Sequence, residues 1–261
     1  MFNKKYKNVF FNILKNRDFS IIVKKIKNKF ESNTSVDAAN WAKENKTDLE
    51  VFCKSKDAKL WRESLIELDK IEKNILSRLQ KIPNRYNGIW SNLKLVYFLM
   101  RYYKPKKIIE TGVAAGTSSE AILQAINKNN KGYLYSSDLP YYKIEQSEKF
   151  IGAAVSDELK KFWKLDIRGD HYALDDFINL SSKIDFFYYD SDKSYNGRNF
   201  AMKKVNKHFS LNAVLIMDDI QDNLFFKNFV EKENLNFKVF GFKNQFVGLV
   251  ENIGLQLKKK A

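Results

Sequence analysis

The sequence has one cysteine, Cys53, and three prolines among its 261 residues. A single cysteine cannot form a disulfide within the chain, and it excludes zinc or iron–sulfur sites built from several cysteines. No segment approaches the roughly 18 consecutive apolar residues that a membrane-spanning helix requires, and no signal peptide is evident at the N-terminus. We therefore expect a cytoplasmic protein without a transmembrane segment.

Negative charge is also scarce, because the formal net charge is +15 and much of the excess lies at the start of the chain. Residues 1–30 hold nine Lys and Arg against one Asp, which gives +8. Apolar residues recur among these lysines at roughly helical spacing and predict one or two basic amphipathic helices. We expect these helices to dock on the rest of the chain or to form a homodimer contact, with an acidic membrane surface as the alternative. The remaining positive charge is spread thinly and gives no firm indication of a nucleic-acid partner.

Two regions follow the basic segment. After a polar stretch at 31–59, apolar residues recur every three or four positions over 60–82 and again over 89–103, which predicts two helices. Pro105 then marks a break. We therefore divide the chain into an N-terminal helical extension or cap at 1–104 and a second domain at 105–261.

From Lys107 onward, strand-like and helix-like segments alternate, which is typical of a doubly wound, mainly parallel α/β sheet. Seven strands are predicted, at 107–111, 132–137, 162–167, 185–189, 213–217, 237–242 and 246–251. Helices are predicted between them at 118–127, 142–150, 171–181, 195–209 and 224–233. The last two strands have room for only a tight turn between them, so the final strand should run antiparallel.

The first predicted strand leads into a glycine turn and a helix start, with the sequence Glu-Thr-Gly-Val-Ala-Ala-Gly-Thr-Ser over 110–118. Gly112 lets the backbone approach a ligand closely, and Gly116 permits a tight entry into the helix. Thr117 or Ser118 can cap the first amides of that helix. The alternative is a turn that serves packing alone, as in many α/β folds.

The turn lacks the lysine of a phosphate-binding loop and the closer glycine spacing of a dinucleotide fingerprint. These differences favour a nucleoside ligand without phosphate. The next strand ends at Asp138, about 25 residues downstream, where a carboxylate can accept both ribose hydroxyls of an adenosine. A plain helix cap is the alternative role for Asp138.

The segment 110–116 followed by Asp138 resembles the first two motifs of class I S-adenosylmethionine-dependent methyltransferases, and the resemblance covers about 106–252. It implies a seven-stranded sheet of order 3-2-1-4-5-7-6 and S-adenosylmethionine as cofactor. It also implies that Glu110 and Gly112 lie near the methionine end and that Asp138 binds the ribose. The expected cofactor-binding residues are Glu110, Gly112, Gly116, Thr117, Ser118, Asp138 and Asp190.

Carboxylates follow the fourth and fifth predicted strands, at Asp190 and at Asp218 with Asp219. Neighbouring parallel strands open into the same crevice, so these three side chains can converge. Clustered carboxylates repel one another unless a cation compensates, and oxygen ligands suit Mg²⁺, Mn²⁺ or Ca²⁺. The alternative is that they are helix caps, solvated ion pairs and loop residues without a metal.

The Asp-Ser-Asp-Lys block at 190–193 and the later Asp-Asp pair are similar to the divalent-metal O-methyltransferases that act on catechols and caffeoyl esters. Comparable blocks occur in bacterial methyltransferases of sugars and natural products. The resemblance implies that Asp190, Asp218 and Asp219 bind the metal and that Lys193 helps to deprotonate the acceptor hydroxyl, with its pKa lowered by the cation. Asp219 stands where the family usually has Asn.

The sequence thus predicts a methyltransferase that uses S-adenosylmethionine to methylate an oxygen of a small molecule or glycan precursor. Asp190 and Lys193 are its expected catalytic residues. One alternative is a metal-independent methyltransferase acting on nitrogen or nucleic acid, although no Asn/Asp-Pro-Pro-Tyr/Phe block follows the fourth strand. The other is a non-catalytic binding or scaffold protein that retains the fold.

Overall fold

The computed structural model describes residues 35–83, 91–141, 146–180 and 183–259. The predicted basic helices of 1–30 lie outside these ranges. Within the described ranges, no helix has both the length and the apolar composition needed to cross a membrane.

Among the residues that the structure describes, three helices precede the sheet, namely α1 (Ser35–Glu44), α2 (Leu49–Leu79) and α3 (Leu93–Tyr103). Helical structure therefore begins earlier than the predicted start at residue 60. Asp48 caps α2 by accepting the amide of Val51, and the helix is interrupted at Asp57, which accepts the amide of Leu60 and begins a new helical segment. The predicted three- and four-residue spacing is confirmed beyond this point, since Leu68, Ile71, Ile75 and Leu79 are buried.

The sheet has seven strands in the order β3-β2-β1-β4-β5-β7-β6, as the resemblance implied. The first five strands run parallel, whereas β7 is antiparallel to both β5 and β6, which confirms the predicted final strand. The strands are β1 (Lys107–Thr111), β2 (Tyr133–Ser137), β3 (Trp163–Asp166), β4 (Ile184–Tyr189), β5 (Phe209–Met217), β6 (Lys238–Phe242) and β7 (Gln245–Val250).

Helices connect most of the strands and cover both faces of the sheet. They are α4 (Thr117–Asn129), α5 (Asp170–Asn179), α6 (Tyr195–Val205), α7 (Phe225–Lys232) and α8 (Ile253–Lys258). The predicted helix at 142–150 is wrong for the part that the structure describes, where 146–162 contains only two short 3₁₀ helices, Ser147–Phe150 and Asp157–Phe162. This segment packs against the glycine turn instead of forming a regular crossover helix.

Alternate strand residues point into two apolar cores, as the two-residue period of a strand requires. Ile108 and Phe186 face α2, α3 and α4, whereas Ile109 and Phe187 face the core that contains α5, α6 and α7. The helices of the extension therefore share a hydrophobic core with the sheet. The carboxyl ends of the parallel strands lie at one edge, and the predicted site residues follow those ends.

Candidate active site

The glycine turn after β1 is fixed to both neighbouring strands. The amide of Gly112 donates to the carbonyl of Ser137 at 2.8 Å, and the amide of Asp190 donates to the carbonyl of Thr111 at 2.8 Å. Gly112 has φ +83°, and a Cβ placed there would overlap the carbonyl oxygen of Asp190. Only glycine fits this position, because the turn lies directly against the backbone that carries Asp190.

The far side of the turn rests on the segment after β2. The amide of Gly152 donates to the carbonyl of Ala114 at 2.9 Å, and that of Ala154 donates to Ala115 at 2.7 Å. Gly116, with φ +90°, is the N-cap residue of α4, and a Cβ there would lie 2.9 Å from the Cα of Gly152. Two backbones therefore meet at contact distance beside the candidate cofactor turn.

Glu110 is fully buried beneath the turn. Its carboxylate accepts the hydroxyls of Ser118, Ser119 and Ser136 at 2.6 to 2.7 Å. Burial raises the pKa of Glu110, and the three hydroxyls oppose this rise. The predicted helix cap by Thr117 or Ser118 is wrong, since no side chain caps α4 and the Ser118 hydroxyl is committed to Glu110.

Asp138 follows β2 and its carboxylate lies against the glycine turn. Oδ2 accepts the amides of Val113 at 2.9 Å and Ala114 at 2.6 Å, and Oδ1 accepts the amide of Leu139 at 2.6 Å. Burial raises the pKa of Asp138, and these amides oppose the rise. The sequence pair of turn and carboxylate thus becomes one hydrogen-bonded unit.

Asp190, Asp218 and Asp219 converge as the topology predicted. One carboxylate oxygen from each lies within 4.8 Å of the others, and this acidic cluster could hold a metal ion. Gln245 donates to Asp219 at 2.5 Å, and the Tyr188 hydroxyl donates to Asp218 at 3.3 Å. The cluster is therefore held in place from the ends of β4, β5 and β7.

Lys193 inserts its ammonium into the acidic cluster. Nζ forms an ion pair with Asp190 and lies 3.0 Å from Oδ2 of Asp219. Burial alone would lower the pKa of Lys193, but the charges of Asp190, Asp218 and Asp219 outweigh burial and hold it above its usual value. The lowered pKa expected from the sequence assumed a cation beside Lys193, whereas the carboxylates alone shift it in the opposite direction.

Asp218 is the most buried member of the cluster, at 5% exposure. Burial, reinforced by the negative charge of Asp190, raises its pKa to about 7, although Lys193 opposes the rise. Asp218 is thus the member of the cluster whose ionisation burial opposes most directly.

Several residues at the site were not identified from the sequence. Ser91, just before α3, donates to Asp190 at 3.2 Å. The fully buried Arg198 donates Nη2 to the carbonyls of Asp218 at 3.1 Å and Asp219 at 2.7 Å. The sequence signal that could have identified Arg198 is its position on the apolar face of α6, with Ala201, Met202 and Val205. Asp170 at the start of α5 accepts the hydroxyls of Ser137 and Ser191 at 2.6 and 2.5 Å, so it links the ends of β2 and β4.

Comparisons with known proteins agree with this geometry. Residues 109–220 match a family model described as a methyltransferase domain. The O-methyltransferase from Bacillus cereus, solved with S-adenosylhomocysteine, is 14% identical and has a TM-score of 0.53, over 70% of this chain and 90% of that one. TomG from Streptomyces achromogenes, an O-methyltransferase involved in tomaymycin synthesis and solved with S-adenosylmethionine, is 13% identical, with a TM-score of 0.52 over 69% and 88%.

The S-adenosylhomocysteine-bound methyltransferase PaMTH1 from Podospora anserina is 15% identical, with a TM-score of 0.51 over 70% of this chain and 88% of that chain. No curated protein matches the sequence. The family model and the fold together confirm the resemblance to class I methyltransferases that the motifs indicated. The described part of the chain therefore has a methyltransferase fold, and the match to the methyltransferase-domain model covers 109–220.

Proposed function

We propose that this protein transfers a methyl group from S-adenosylmethionine to a hydroxyl oxygen of a small molecule or glycan precursor, with a divalent cation at the acidic cluster. The observation that carries the proposal is the contact between the candidate cofactor site and the candidate cation site. The glycine turn lies directly on the backbone of Asp190, so a nucleoside held at the turn would be adjacent to the acidic cluster.

The cofactor half of the proposal rests on the turn, on Asp138 and on relatives of the same fold. S-adenosylmethionine supplies, when bound, an electrophilic methyl group on its sulfonium. Gly112 places the turn directly against the backbone of Asp190, and Asp138 presents a carboxylate at the end of β2. Glu110 is proposed to hold the turn in place from beneath, since its hydrogen bonds with three serine hydroxyls link the turn to β2 and α4.

The cation half rests on the donor set. Three carboxylates, with one oxygen of each within 4.8 Å of the others, offer the oxygen ligands that Mg²⁺, Mn²⁺ and Ca²⁺ prefer. Asp190, Asp218 and Asp219 would hold the ion. When bound, such an ion supplies a Lewis acid that lowers the pKa of the acceptor hydroxyl.

Lys193 and Asp190 do the proton chemistry in this proposal. In the arrangement described, Lys193 is a charged donor to Asp190 and Asp219, so it can accept a proton only after these ion pairs open and its ammonium releases a proton to solvent. Ser91 orients the second oxygen of Asp190 by donating to it. Lys193 and Asp190 would place the acceptor oxygen and its proton beside the methyl group. Positioning of this kind is the main source of acceleration in such a transfer.

A second candidate function is methyl transfer without a metal. Lys193 already supplies one positive charge to the acidic cluster through its contacts with Asp190 and Asp219. In that case the lysine would remain the cation of the site, and the acceptor could be a nitrogen as well as an oxygen.

Titration of Mn²⁺ into chelator-stripped protein, followed by electron paramagnetic resonance of the free ion, separates these candidates. We expect one bound ion in the wild type and its loss in Asp190→Asn. Asp192→Asn should retain the ion, because Asp192 is in the same loop but accepts the amide of Ser194 and does not join the cluster. Tritiated methyl transfer to a panel of phenols, catechols and sugars, with and without EDTA, then reports the acceptor class. Absence of Mn²⁺ binding by the wild type, or unchanged binding by Asp190→Asn, would overturn the metal role.

A further inference from the structure

Arg78, near the end of α2, connects the N-terminal extension to the first turn of α4. Its Nη2 lies 2.7 Å from Oε1 of Glu120, and its Nε donates to the carbonyl of Ala154 at 2.6 Å. Glu120 is fully buried, whereas the Arg78 side chain is 25% exposed. A buried carboxylate needs such a partner, because an unpaired buried charge is strongly destabilising.

Glu120 also holds the segment that follows β2. Its carboxylate accepts the amide of Ser156 at 2.9 Å and the hydroxyl of the same residue at 3.1 Å. Arg78 and Glu120 therefore fix both Ala154 and Ser156. We call residues 152–156 the bracing segment.

The bracing segment in turn fixes the glycine turn. The amides of Gly152 and Ala154 donate to the carbonyls of Ala114 and Ala115, and Gly152 lies against Gly116 with no space for a side chain between them. A shift of this segment would therefore move the turn that the proposed function assigns to the cofactor. Packed backbones transmit such shifts because protein interiors have few voids to absorb them.

We infer that Arg78 is a positioning residue for cofactor binding, through which the helical extension fixes the glycine turn by way of Glu120 and the bracing segment. The inference rests on the proposed function, since it assumes that S-adenosylmethionine binds at the turn. It assigns the described part of the extension a role in cofactor affinity beyond its contribution to the core.

Arg101 provides a matched control. It lies on α3, and its Nε donates to Asn129 at the opposite end of α4 at 2.7 Å. Arg101 thus links the extension to the same helix through a neutral side chain, and in the described part of the chain none of its hydrogen bonds or ion pairs reaches the bracing segment. Replacing either arginine by methionine removes one tie between the extension and α4, and only the Arg78 replacement releases the bracing segment.

The test is calorimetric titration of S-adenosylhomocysteine into the wild type, Arg78→Met and Arg101→Met, with thermal unfolding of each protein. We expect both variants to unfold at lower temperature than the wild type. Affinity for S-adenosylhomocysteine should fall roughly fivefold or more in Arg78→Met, and should stay within about twofold in Arg101→Met. Arg78→Lys keeps the charge but offers one nitrogen in place of the Nε and Nη2 that bond Ala154 and Glu120, so the variant should bind with intermediate affinity, and it replaces Arg78→Met if that variant does not fold.

Wild-type affinity in Arg78→Met, or in Arg78→Lys if only that variant folds, would overturn the inference. An equal loss of affinity in Arg101→Met would also overturn it, because the effect would then follow from helix packing in general. Failure of the wild type itself to bind S-adenosylhomocysteine would instead overturn the proposed function, so the two failures are distinguishable.

Discussion

Replacing Gly112 by alanine should damage both stability and cofactor binding. An L-residue at φ +83° is strained by about 1–3 kcal/mol, and the added Cβ would overlap the carbonyl oxygen of Asp190, where relief of overpacking costs a further 1–3 kcal/mol or so. We therefore expect the free energy of unfolding to fall by about 2–6 kcal/mol, which lowers the melting temperature by roughly 4–24 °C. Relief of the overlap must move the turn away from β4, so affinity for S-adenosylhomocysteine should fall as well.

Gly132→Ala is the control for this prediction. Gly132 has φ +112°, and its added Cβ would lie 2.7 Å from the carbonyl oxygen of Pro105, at the opposite edge of the sheet. Thermal unfolding should show a comparable loss of stability in the two variants, whereas calorimetry should show weakened S-adenosylhomocysteine binding only in Gly112→Ala. Wild-type affinity in Gly112→Ala, despite its lower stability, would refute the reasoning that this turn contacts the cofactor.

Three further changes test other parts of the account. Asp138→Asn should weaken S-adenosylhomocysteine binding by roughly tenfold or more, since bonds to a charged acceptor contribute about 1.5–3 kcal/mol; unchanged affinity by calorimetry would remove its ribose role. The pKa of Asp218 is about 7 in the folded state and 3.8 as the reference value, so this group contributes stability at low pH that is lost as the pH rises through 7. Urea unfolding in EDTA should therefore show Asp218→Asn gaining stability relative to the wild type between pH 5 and pH 8, and an equal difference at both pH values would contradict this. Deletion of 1–30 should lower the melting temperature or change the mass measured by light scattering; a change in neither, with loss of salt-sensitive binding to RNA or anionic vesicles, would favour a polyanion partner instead.

The sheet could be predicted because its information is local and repeated. The strands β1, β4 and β5 contain short apolar runs, and the tight turn between β6 and β7 leaves no room for a crossover. The order of the strands came from the resemblance that the motif at 110–116 and Asp138 carried. The helix predicted at 142–150 is wrong in its described part, because the backbone there bonds the glycine turn and forms short 3₁₀ helices instead. Nothing in the local sequence indicates this contact.

The acidic cluster was also predictable, since the ends of neighbouring strands must share an edge of the sheet. The residues that support the cluster and the glycine turn could not be found in this way. Ser91 reaches Asp190 across 99 positions of sequence, and Arg78 reaches Ala154 across 76. Such pairs depend on how the extension packs against the sheet, which no periodicity within either segment specifies.

The central claim is that one edge of the sheet holds a nucleoside cofactor at the glycine turn and a divalent cation at Asp190, Asp218 and Asp219. The most direct measurement is a crystal structure with S-adenosylhomocysteine and Mn²⁺, with diffraction recorded at the manganese absorption edge. The account predicts the ribose at Asp138 and an anomalous peak among the three carboxylates. S-adenosylhomocysteine bound away from the glycine turn, or a carboxylate cluster without an anomalous peak and with Lys193 still paired to Asp190, would contradict it.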